Sequence, residues 1–378
     1  MSLQKIMFFC TLLLFVSYGY SREGKSFGQK RLIEFPDIPG YKTLKCDFHQ
    51  HTVFSDGNVW PVIRTQEAVK DGLDAIAITD HLEYLPHKHD IPNEDRNIPY
   101  EIAKKESDNS DLIVINGAEI TRAMPPGHVN GIFLTDVNKV VVKDSVQAIK
   151  EAAKQGAFIF WNHPNWVAQK PDGMAELTEL HKRLIAEGYL KGIEVVNGDS
   201  YSDEALQIAI DNNLTMLGNS DIHGLIDWDY KVAEGGHRPV TLVFAKEKTA
   251  DGIKEALNNG RTAVWFSNYL IGREEYLVPL LEKSLLFVKR EQLESHMGKS
   301  LVTSVYIQNI SDADLVLENL SGYTLHSQPD ILTIKAHTTE IVYYKTLKYL
   351  PEFEAKFRVL SAVTAPKTHP EISLKIHE

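Results

Sequence analysis

The residues of this chain best suited to chemistry lie between Asp47 and Gly57, where His49 and His51 stand two positions apart at the end of a short apolar strand. Alternate residues of a strand point to the same face, so both imidazoles can bind one cation. Imidazoles and carboxylates are common ligands of transition metals in proteins. An isolated His-x-His pair is more often two ordinary histidines, one packed and one solvated. A metal site at this pair therefore needs support from the rest of the chain.

The same residue types return at the ends of later apolar runs. Asp80 and His81 follow residues 75–79, and Asp221 and His223 repeat the spacing of two at the end of another strand. Four more candidate ligands stand beside predicted strands or shortly after His51, namely Asp56, Glu119, His128 and His163. Because the carboxyl ends of barrel strands meet at one face, one shared multinuclear metal site explains all these segments.

The elements that would position these residues alternate between strands and helices from about Leu44 to Phe266. Repeated β-α units with apolar strands predict an α/β fold, a parallel sheet covered by helices. About seven or eight such units favour a closed barrel. An open, doubly wound sheet is the alternative, but no Gly-rich phosphate loop follows the first strand.

Short strand-like runs separated by turn residues follow the helix predicted at 274–286, and they predict a small antiparallel β-sandwich. The sandwich carries no readable activity of its own. The predicted division of the chain is a signal peptide at 1–21, an N-terminal extension at 22–43, a barrel at 44–270, a helical connector at 271–286 and a β-sandwich at 287–378.

Composition narrows the classes of partner. The 378 residues are 43% hydrophobic and 24% charged, as expected for a globular protein. The formal net charge is -11 and no Lys/Arg-rich run is present, which argues against nucleic acid as a partner. A small-molecule phosphoester remains compatible with this charge, because bound cations reverse the local field.

The amino terminus has the pattern of a secretory signal peptide. Lys5 precedes an apolar run at 6–16, and small residues lead to a plausible cleavage point after Ser21. The run is shorter than the roughly 20 residues that span a bilayer, so we expect no stable membrane span and a periplasmic or secreted protein. Cys46 would then be the single cysteine of the mature chain, which leaves no internal disulfide.

Taken together, these motifs resemble the PHP family, the polymerase and histidinol phosphatase superfamily. The resemblance covers about residues 44–266 and rests on motifs that occur in the family's order, namely His49-x-His51 with Asp56, Thr79-Asp80-His81, Glu119, His128, Asn162-His163-Pro164 and Asp221-x-His223. The predicted export, the trailing β domain and the run Gly236-His237-Arg238-Pro239 are similar to a branch of secreted phosphodiesterases that act on organophosphate diesters.

The resemblance implies a distorted seven-stranded β/α barrel with three divalent cations, Mn²⁺, Zn²⁺ or Fe²⁺. It assigns the nine ligands to three sets: His49, His51, Glu119 and Asp221; Asp56, His81 and His163; and a bridging Glu119 with His128 and His223.

The expected reaction is hydrolysis of a small phosphoester by a water activated between cations, with a phosphodiester as the favoured substrate. We assign His237 as an acid for the leaving group and Arg238 and Arg122 as phosphate-binding groups. Asp80 either orients an imidazole or caps a strand end, and Glu194 is expected to support a ligand from behind.

Three other functions stay open. The first is a phosphomonoesterase of the histidinol-phosphatase or nucleotide-phosphatase type. The second is an amidohydrolase-like metal hydrolase, which shares His-x-His but typically adds a bridging lysine at a strand end, and no lysine of this chain fits that position. The third is an exported binding module without turnover, which the complete ligand set disfavours.

Overall fold

A computed structural model describes residues 31–294 and 301–378. The predicted signal peptide therefore lies outside the described residues. Among the described helices, none combines the length and the apolar character needed to cross a bilayer.

The first part of the described chain consists of β1 (Lys42–Asp47), α1 (Pro61–Asp71), β2 (Ala75–Ile78), α2 (Ile98–Ser107), β3 (Ile113–Ile120), β4 (Val129–Ile132), α3 (Ser145–Lys154), β5 (Phe158–Trp161), α4 (Glu179–Ala186), β6 (Gly192–Asn197), β7 (Ser200–Tyr201), α5 (Asp203–Asp211), β8 (Thr215–Asn219), α6 (Ile226–Asp229), β9 (Val240–Ala245), α7 (Ala250–Asn258), β10 (Thr262–Phe266) and β11 (Tyr269–Gly272). The remainder consists of α8 (Glu274–Ser284), β12 (Leu285–Glu294), β13 (Leu301–Asn309), β14 (Leu315–Asn319), β15 (Ile331–Ile334), β16 (Thr339–Lys345), β17 (Phe353–Val359), β18 (Ala362–Val363) and β19 (Glu371–Ile376).

Local signals explain why the helices begin and end where they do. Helix α1 starts with Pro61, whose missing N–H is not needed in the first turn, and ends at Gly72, which adopts a left-handed φ of 71°. Helix α3 is capped by Asp144, whose carboxylate accepts a 2.8 Å hydrogen bond from the amide of Gln147. Such caps set the direction in which each helix returns the chain to the sheet.

The strands of the first domain form one curled sheet in the order β11-β10-β9-β1-β2-β3-β4-β5-β6, with β8 also paired to β6. The pairs β1–β2, β2–β3, β5–β6 and β6–β8 are parallel, as predicted. Strand β4 runs antiparallel to β3 and β5, and β9 runs antiparallel to β1. The sheet is therefore mixed rather than all parallel, since β3 continues into β4 without the crossover helix that parallel neighbours require.

The curl brings the end of β8 back to the end of β1. The amide of Asp221 donates to the carbonyl of His49 at 2.9 Å, and the amide of His51 donates to the carbonyl of Ile222 at 3.1 Å. These two hydrogen bonds fix the two segments that carry the His-x-His and Asp-x-His motifs side by side. The predicted barrel-like architecture is confirmed in this curled form.

The C-terminal domain consists of two antiparallel sheets, β12-β13-β16 and β15-β14-β17-β19, as the sequence predicts. Strand β18 leaves this domain and pairs in parallel with β11 of the curled sheet. A single hydrophobic cluster contains Leu242 and Trp265 of the first domain together with Val305 and Phe357 of the second. The two domains are thus joined by shared core packing as well as by the chain.

Closure of the curled sheet depends on the absence of a side chain at Gly218 in β8. A Cβ atom at this position would lie 2.2 Å from Cγ1 of Val264 in β10, so either the Val264 side chain or the strands must shift. We expect Gly218→Ala to lower the free energy of unfolding by about 1–3 kcal/mol, the usual effect of overpacking a core. The urea midpoint measures this effect.

Gly322→Ala is the matched control, because a Cβ at Gly322 would meet no atom within 4 Å. Its midpoint should stay unchanged or rise slightly, since alanine restricts the unfolded chain. Equal midpoints for the two variants would contradict the tight approach of β8 to β10.

Candidate metal centre

A cavity of about 230 Å³ lies at the carboxyl-terminal ends of β1, β2, β3, β5 and β8. Its walls consist of nine side chains, namely Asp56, His81, Glu119, His128, His163, Trp166, Asn197, Asp221 and His223. Seven of these are ligands predicted from the sequence, and the remaining two predicted ligands, His49 and His51, lie buried directly beneath them. The structure therefore brings all nine predicted residues together.

Glu119 is at the centre of this cluster and is fully buried. Its Oε2 atom lies 3.2 Å from His49 Nε2, 3.3 Å from His51 Nε2 and 2.9 Å from His81 Nδ1. Its Oε1 atom lies 2.6 Å from His128 Nδ1 and 3.6 Å from His163 Nε2. Burial alone would raise the pKa of Glu119, but the facing imidazoles of His81 and His49 hold that pKa well below its usual value.

The potential ligand atoms fall into three groups, each with its atoms within 4.8 Å of one another: His51, Asp56, His81 and His223; His49, His51 and Glu119; and His81, Glu119 and His128. Asp221 joins the second group, since its Oδ1 lies 3.1 Å from His49 Nε2 and 3.0 Å from His51 Nε2. His163 belongs to none of these groups, but its Nε2 lies 3.6 Å from Glu119 Oε1 and its ring lies 4.9 Å from that of His128 between centroids.

This arrangement of side chains differs from the distribution expected from the family resemblance, and the assignment of ligands to individual cations stays a prediction. His223 was expected beside Glu119 and His128, but its Nε2 lies 3.2 Å from Asp56 Oδ1 in the first group. His163 was expected beside Asp56 and lies beside Glu119 and His128. The reason is that the peptide after β8 folds towards the loop after β1, where the amide of Asn58 donates to the carbonyl of His223 at 2.8 Å.

Unpaired polar atoms show that the cluster suits cations. Five buried side-chain atoms of candidate ligands have no hydrogen-bond partner within residues 31–294 and 301–378, namely His51 Nε2, Glu119 Oε1, His128 Nδ1, His163 Nδ1 and Asp221 Oδ1. Glu119 Oε1 and His128 Nδ1 are close, but not in a direction that makes a hydrogen bond. Buried unpaired polar atoms are costly, and convergent imidazole nitrogens and carboxylate oxygens are the donor set of Mn²⁺, Fe²⁺ and Zn²⁺.

Glu194 in β6 holds ligands from behind. Its Oε1 lies 2.9 Å from His49 Nδ1, and its Oε2 accepts hydrogen bonds from the His163 amide and from Asn197 Nδ2, both at 2.8 Å. A carboxylate on one imidazole nitrogen fixes the ring and leaves the other nitrogen for a metal. This is the supporting position that the sequence predicts for Glu194.

Two candidate ligands have unusual backbone conformations. His163 has a φ of 27° and Asp221 has a φ of 50°, both in the left-handed region that side chains other than glycine rarely adopt. Such strain persists where the surrounding structure demands a particular side-chain position, as it does at functional sites. It indicates that these two side chains are held in place rather than free to relax.

The loop after β1 is held by Asp80, which clarifies the role of this residue. The Asp80 carboxylate accepts hydrogen bonds from the Thr52 amide at 2.7 Å, the Thr52 hydroxyl at 2.7 Å and the Ser55 hydroxyl at 2.6 Å. Ser55 Oγ in turn lies 3.4 Å from His51 Nδ1. Asp80 therefore stabilises the loop that carries Asp56 and reaches an imidazole only through Ser55, so the capping alternative describes it better.

The structure does not place Arg238 in the cavity. Its guanidinium is fully buried and donates from Nε to Asp71 at 2.9 Å and from Nη1 to Asp47 at 3.1 Å. These ion pairs join the end of α1 to β1. The sequence-based assignment of Arg238 to phosphate is corrected, because its charge already compensates two buried carboxylates.

Arg122 and His237 also lie outside the cavity walls. Arg122 pairs with Glu83 and donates to the carbonyl of Val142 at 2.8 Å. His237 stacks on Trp265 at a centroid distance of 3.5 Å, beside the C-terminal domain, and its Nδ1 donates to the carbonyl of Arg238 at 2.8 Å. Both assignments to catalysis are corrected, since the adjacency of these residues to strand ends says nothing about which way their side chains turn.

Trp166 is a wall residue that sequence reasoning missed. It follows His163 by three positions in the turn after β5, and its indole lies 5.4 Å from the His128 ring and 5.2 Å from the His163 ring. The signal available in the sequence was an aromatic residue close behind a ligand at a strand end.

The central position of Glu119 yields a test of metal binding. We expect Glu119→Gln to reduce the metal bound per chain after reconstitution by at least about tenfold, because an amide lacks the negative charge and the second anionic oxygen that bridge the groups. Elemental analysis of dialysed protein measures the loss. Glu83→Gln, at a neighbouring acid outside the cavity, should keep its metal, and an unchanged metal content in both variants would contradict the bridging position.

The burial of His237 against Trp265 predicts that the free energy of unfolding depends on pH. Burial lowers the pKa of His237 from 6.5 to about 4, with a further contribution from nearby Arg31. The folded state thus keeps this imidazole neutral where the unfolded state protonates it, so its contribution to stability is present above pH 6.5 and is lost as pH falls towards 4.

We therefore expect the free energy of unfolding of the wild type to fall between pH 7 and pH 5 by up to about 2 kcal/mol more than that of His237→Gln, which cannot titrate. Urea unfolding at the two pH values measures the difference. Parallel pH profiles would show that His237 is solvated in both states.

Several known proteins and one family model are similar to parts of this chain. A family model for an Ig-like domain, DUF5001, matches residues 288–375. The uncharacterized protein MJ1295 of Methanocaldococcus jannaschii is 30% identical over 190 residues, which cover 43% of this chain and 84% of that protein. A putative metal-dependent phosphoesterase of Bifidobacterium adolescentis aligns over 48% of this chain and 88% of its own, with 19% identity and a TM-score of 0.36.

A much stronger match is the crystal structure of a two-domain protein of Bacteroides vulgatus, described as containing a predicted PHP-like metal-dependent phosphoesterase. It superposes with a TM-score of 0.84 and 42% sequence identity, covering 92% of this chain and 99% of the other. With this identity over both domains, and with the ligand cluster in place, the chain belongs to the family of PHP-like metal-dependent phosphoesterases.

Proposed function

We propose that this protein is a phosphodiesterase that hydrolyses small phosphate diesters with divalent cations held by its nine clustered His, Asp and Glu side chains. The observation that carries the proposal is the set of five buried, unpaired nitrogen and oxygen atoms on these clustered side chains. A cluster of this kind is stabilised when cations occupy it, and it lies open to a cavity large enough for a phosphoryl group.

The cations, when bound, would supply Lewis acidity to the phosphoryl oxygens and lower the pKa of a water molecule. The protein's own groups prepare this chemistry. Glu194 orients His49, and Asp80 stabilises the loop that carries Asp56. The walls His81, Glu119 and His128 are almost completely buried, which keeps the dielectric low where charge develops.

The charges of the cavity favour a diester over a monoester. No arginine or lysine stands among the nine residues described as its walls, since Arg122 pairs with Glu83 and Arg238 with Asp47 and Asp71. A monoester dianion gains most from extra cationic donors such as a bidentate arginine, whereas a diester carries one negative charge fewer. The bound cations would then suffice for a singly charged substrate.

The arrangement also favours esters with a good leaving group. Each imidazole among the described wall residues is a candidate ligand, since His81, His128 and His223 belong to the groups of potential ligand atoms and His163 Nε2 lies 3.6 Å from Glu119 Oε1. His237 lies elsewhere. No wall imidazole is therefore reserved as a proton donor for the leaving oxygen. Substrates whose leaving group needs little protonation should react fastest.

An assay with two nitrophenyl esters tests the proposal. Protein reconstituted with Mn²⁺ or Zn²⁺ should hydrolyse bis(p-nitrophenyl) phosphate with a higher kcat/KM than p-nitrophenyl phosphate. His51→Ala and Asp221→Ala should each lower kcat/KM by at least about 100-fold, because each removes a ligand and leaves another group unpaired.

His326→Ala, at an exposed histidine of the C-terminal domain, is the matched control and should keep full activity. Activity that survives both His51→Ala and Asp221→Ala would rule out this site. A preference for the monoester would show that the charge argument for diesters is wrong, while leaving a phosphatase in its place.

A further inference from the structure

The cavity above the candidate ligands has a single apolar side chain in its described wall. Eight of the nine wall residues are His, Asp, Glu or Asn, and the ninth is Trp166. An ester brings organic groups into the cavity as well as its phosphoryl group. Trp166 is the wall residue that can exchange water for favourable apolar contact with such a group.

The geometry of Trp166 leaves part of its indole free for a ligand. The ring packs against His128 and His163 with interplanar angles of 58° and 70°, so neither imidazole lies parallel over a face of the indole. The residue is 44% exposed although it lines the cavity. An aromatic surface held beside the ligand cluster and still exposed is typical of a binding contact rather than of core packing.

The turn that carries Trp166 is fixed by hydrogen bonds. Its amide donates to the carbonyl of His163 at 2.9 Å, and its carbonyl accepts from the amides of Gln169 at 2.9 Å and Lys170 at 2.8 Å. The side chain of Gln169 donates to the carbonyl of Arg122 at 2.9 Å, which ties the turn to the segment leading to His128. Little ordering is therefore needed when a ligand meets the indole.

The charged groups near this turn are already paired. Lys170 Nζ lies 3.0 Å from Glu176 and 3.4 Å from Asp172, and Arg122 pairs with Glu83. These cations are thus not positioned to recognise a second anionic group of a substrate. On this side of the cavity, the indole of Trp166 is therefore the group that can distinguish one organic group of a substrate from another.

We propose that Trp166 is a specificity-determining residue that stacks against a flat, unsaturated ring on the substrate, so that aryl phosphoesters are preferred over alkyl ones. This inference rests on the proposed function, because it assumes that the phosphoryl group binds at the ligand cluster. Aromatic pairs contribute about 0.5–1.5 kcal/mol beyond burial, which corresponds to roughly a two- to twelvefold preference.

The test uses two phosphonates that contain a P–C bond and are not hydrolysed. Titration calorimetry of Mn²⁺-reconstituted protein should show phenylphosphonate binding roughly two- to twelvefold more tightly than methylphosphonate. Trp166→Ala should remove this preference while keeping the affinity for methylphosphonate, which also shows that the variant is folded. Trp166→Phe should retain part of the preference, because it keeps an aromatic face.

Trp228→Ala is the matched control, since Trp228 is 76% exposed and is not a wall residue of the cavity. It should bind both phosphonates as the wild type does. Equal affinity of the wild type for the two compounds, or a preference that survives in Trp166→Ala, would overturn the stacking inference and leave the proposed function intact. Failure of the reconstituted wild type to bind either compound would overturn the stacking inference, whereas the proposed function is overturned only if bis(p-nitrophenyl) phosphate is not hydrolysed.

Discussion

The structure depends on one costly arrangement, a fully buried carboxylate at Glu119 surrounded by five imidazoles. A buried charge needs compensation, and here the compensating groups come from segments distant in the chain. Each segment must therefore place its imidazole within about 3 Å of the Glu119 carboxylate. The curl of the sheet, the close packing of β8 on β10 and the loop held by Asp80 all serve that requirement.

The compensation is arranged in layers around this carboxylate. The ligand side chains form the wall, and behind them Glu194 fixes His49 and the backbone of His163. Further out, Arg238 neutralises Asp47 and Asp71 and thereby joins α1 to β1. The ligand layer retains unpaired atoms although the layers behind it are well hydrogen-bonded, which is what separates a binding site from a structural ion-pair network.

The sequence was sufficient to predict which His, Asp and Glu side chains cluster, because their types are distinctive and their positions at strand ends bring them together in a barrel. The period-two spacing of His49 with His51, and of Asp221 with His223, reports directly on side-chain direction in an extended segment. The mixture of parallel and antiparallel strands was not predictable in this way. The residue pattern of an apolar strand is the same whether it runs parallel or antiparallel to its neighbours. The positions of His163 beside Glu119 and of His223 beside Asp56 were not predictable either, because they depend on left-handed backbone at His163 and on the path of the loop after β1.

The sequence does not show where the charged side chains outside the motifs point, for a related physical reason. Arg122, Arg238 and His237 stand next to strand ends, but an arginine extends far enough to meet a carboxylate on either side of its backbone. Whether it faces the cavity depends on Asp47, Asp71 and Glu83, which no local pattern connects to it. Trp166 was missed for the opposite reason, since aromatic residues are usually read as core.

The short pairing of β18 with β11 places a strand of the C-terminal domain along one edge of the curled sheet. Strand β11 is the last barrel strand on its side of the curled sheet, and the amide of Leu270 donates to the carbonyl of Ser361 at 3.0 Å. Without that neighbour, β11 would present open backbone groups, the kind of edge at which sheets recruit foreign strands and aggregate. By pairing with Leu270 and Ile271, β18 of the Ig-like domain closes part of this open edge.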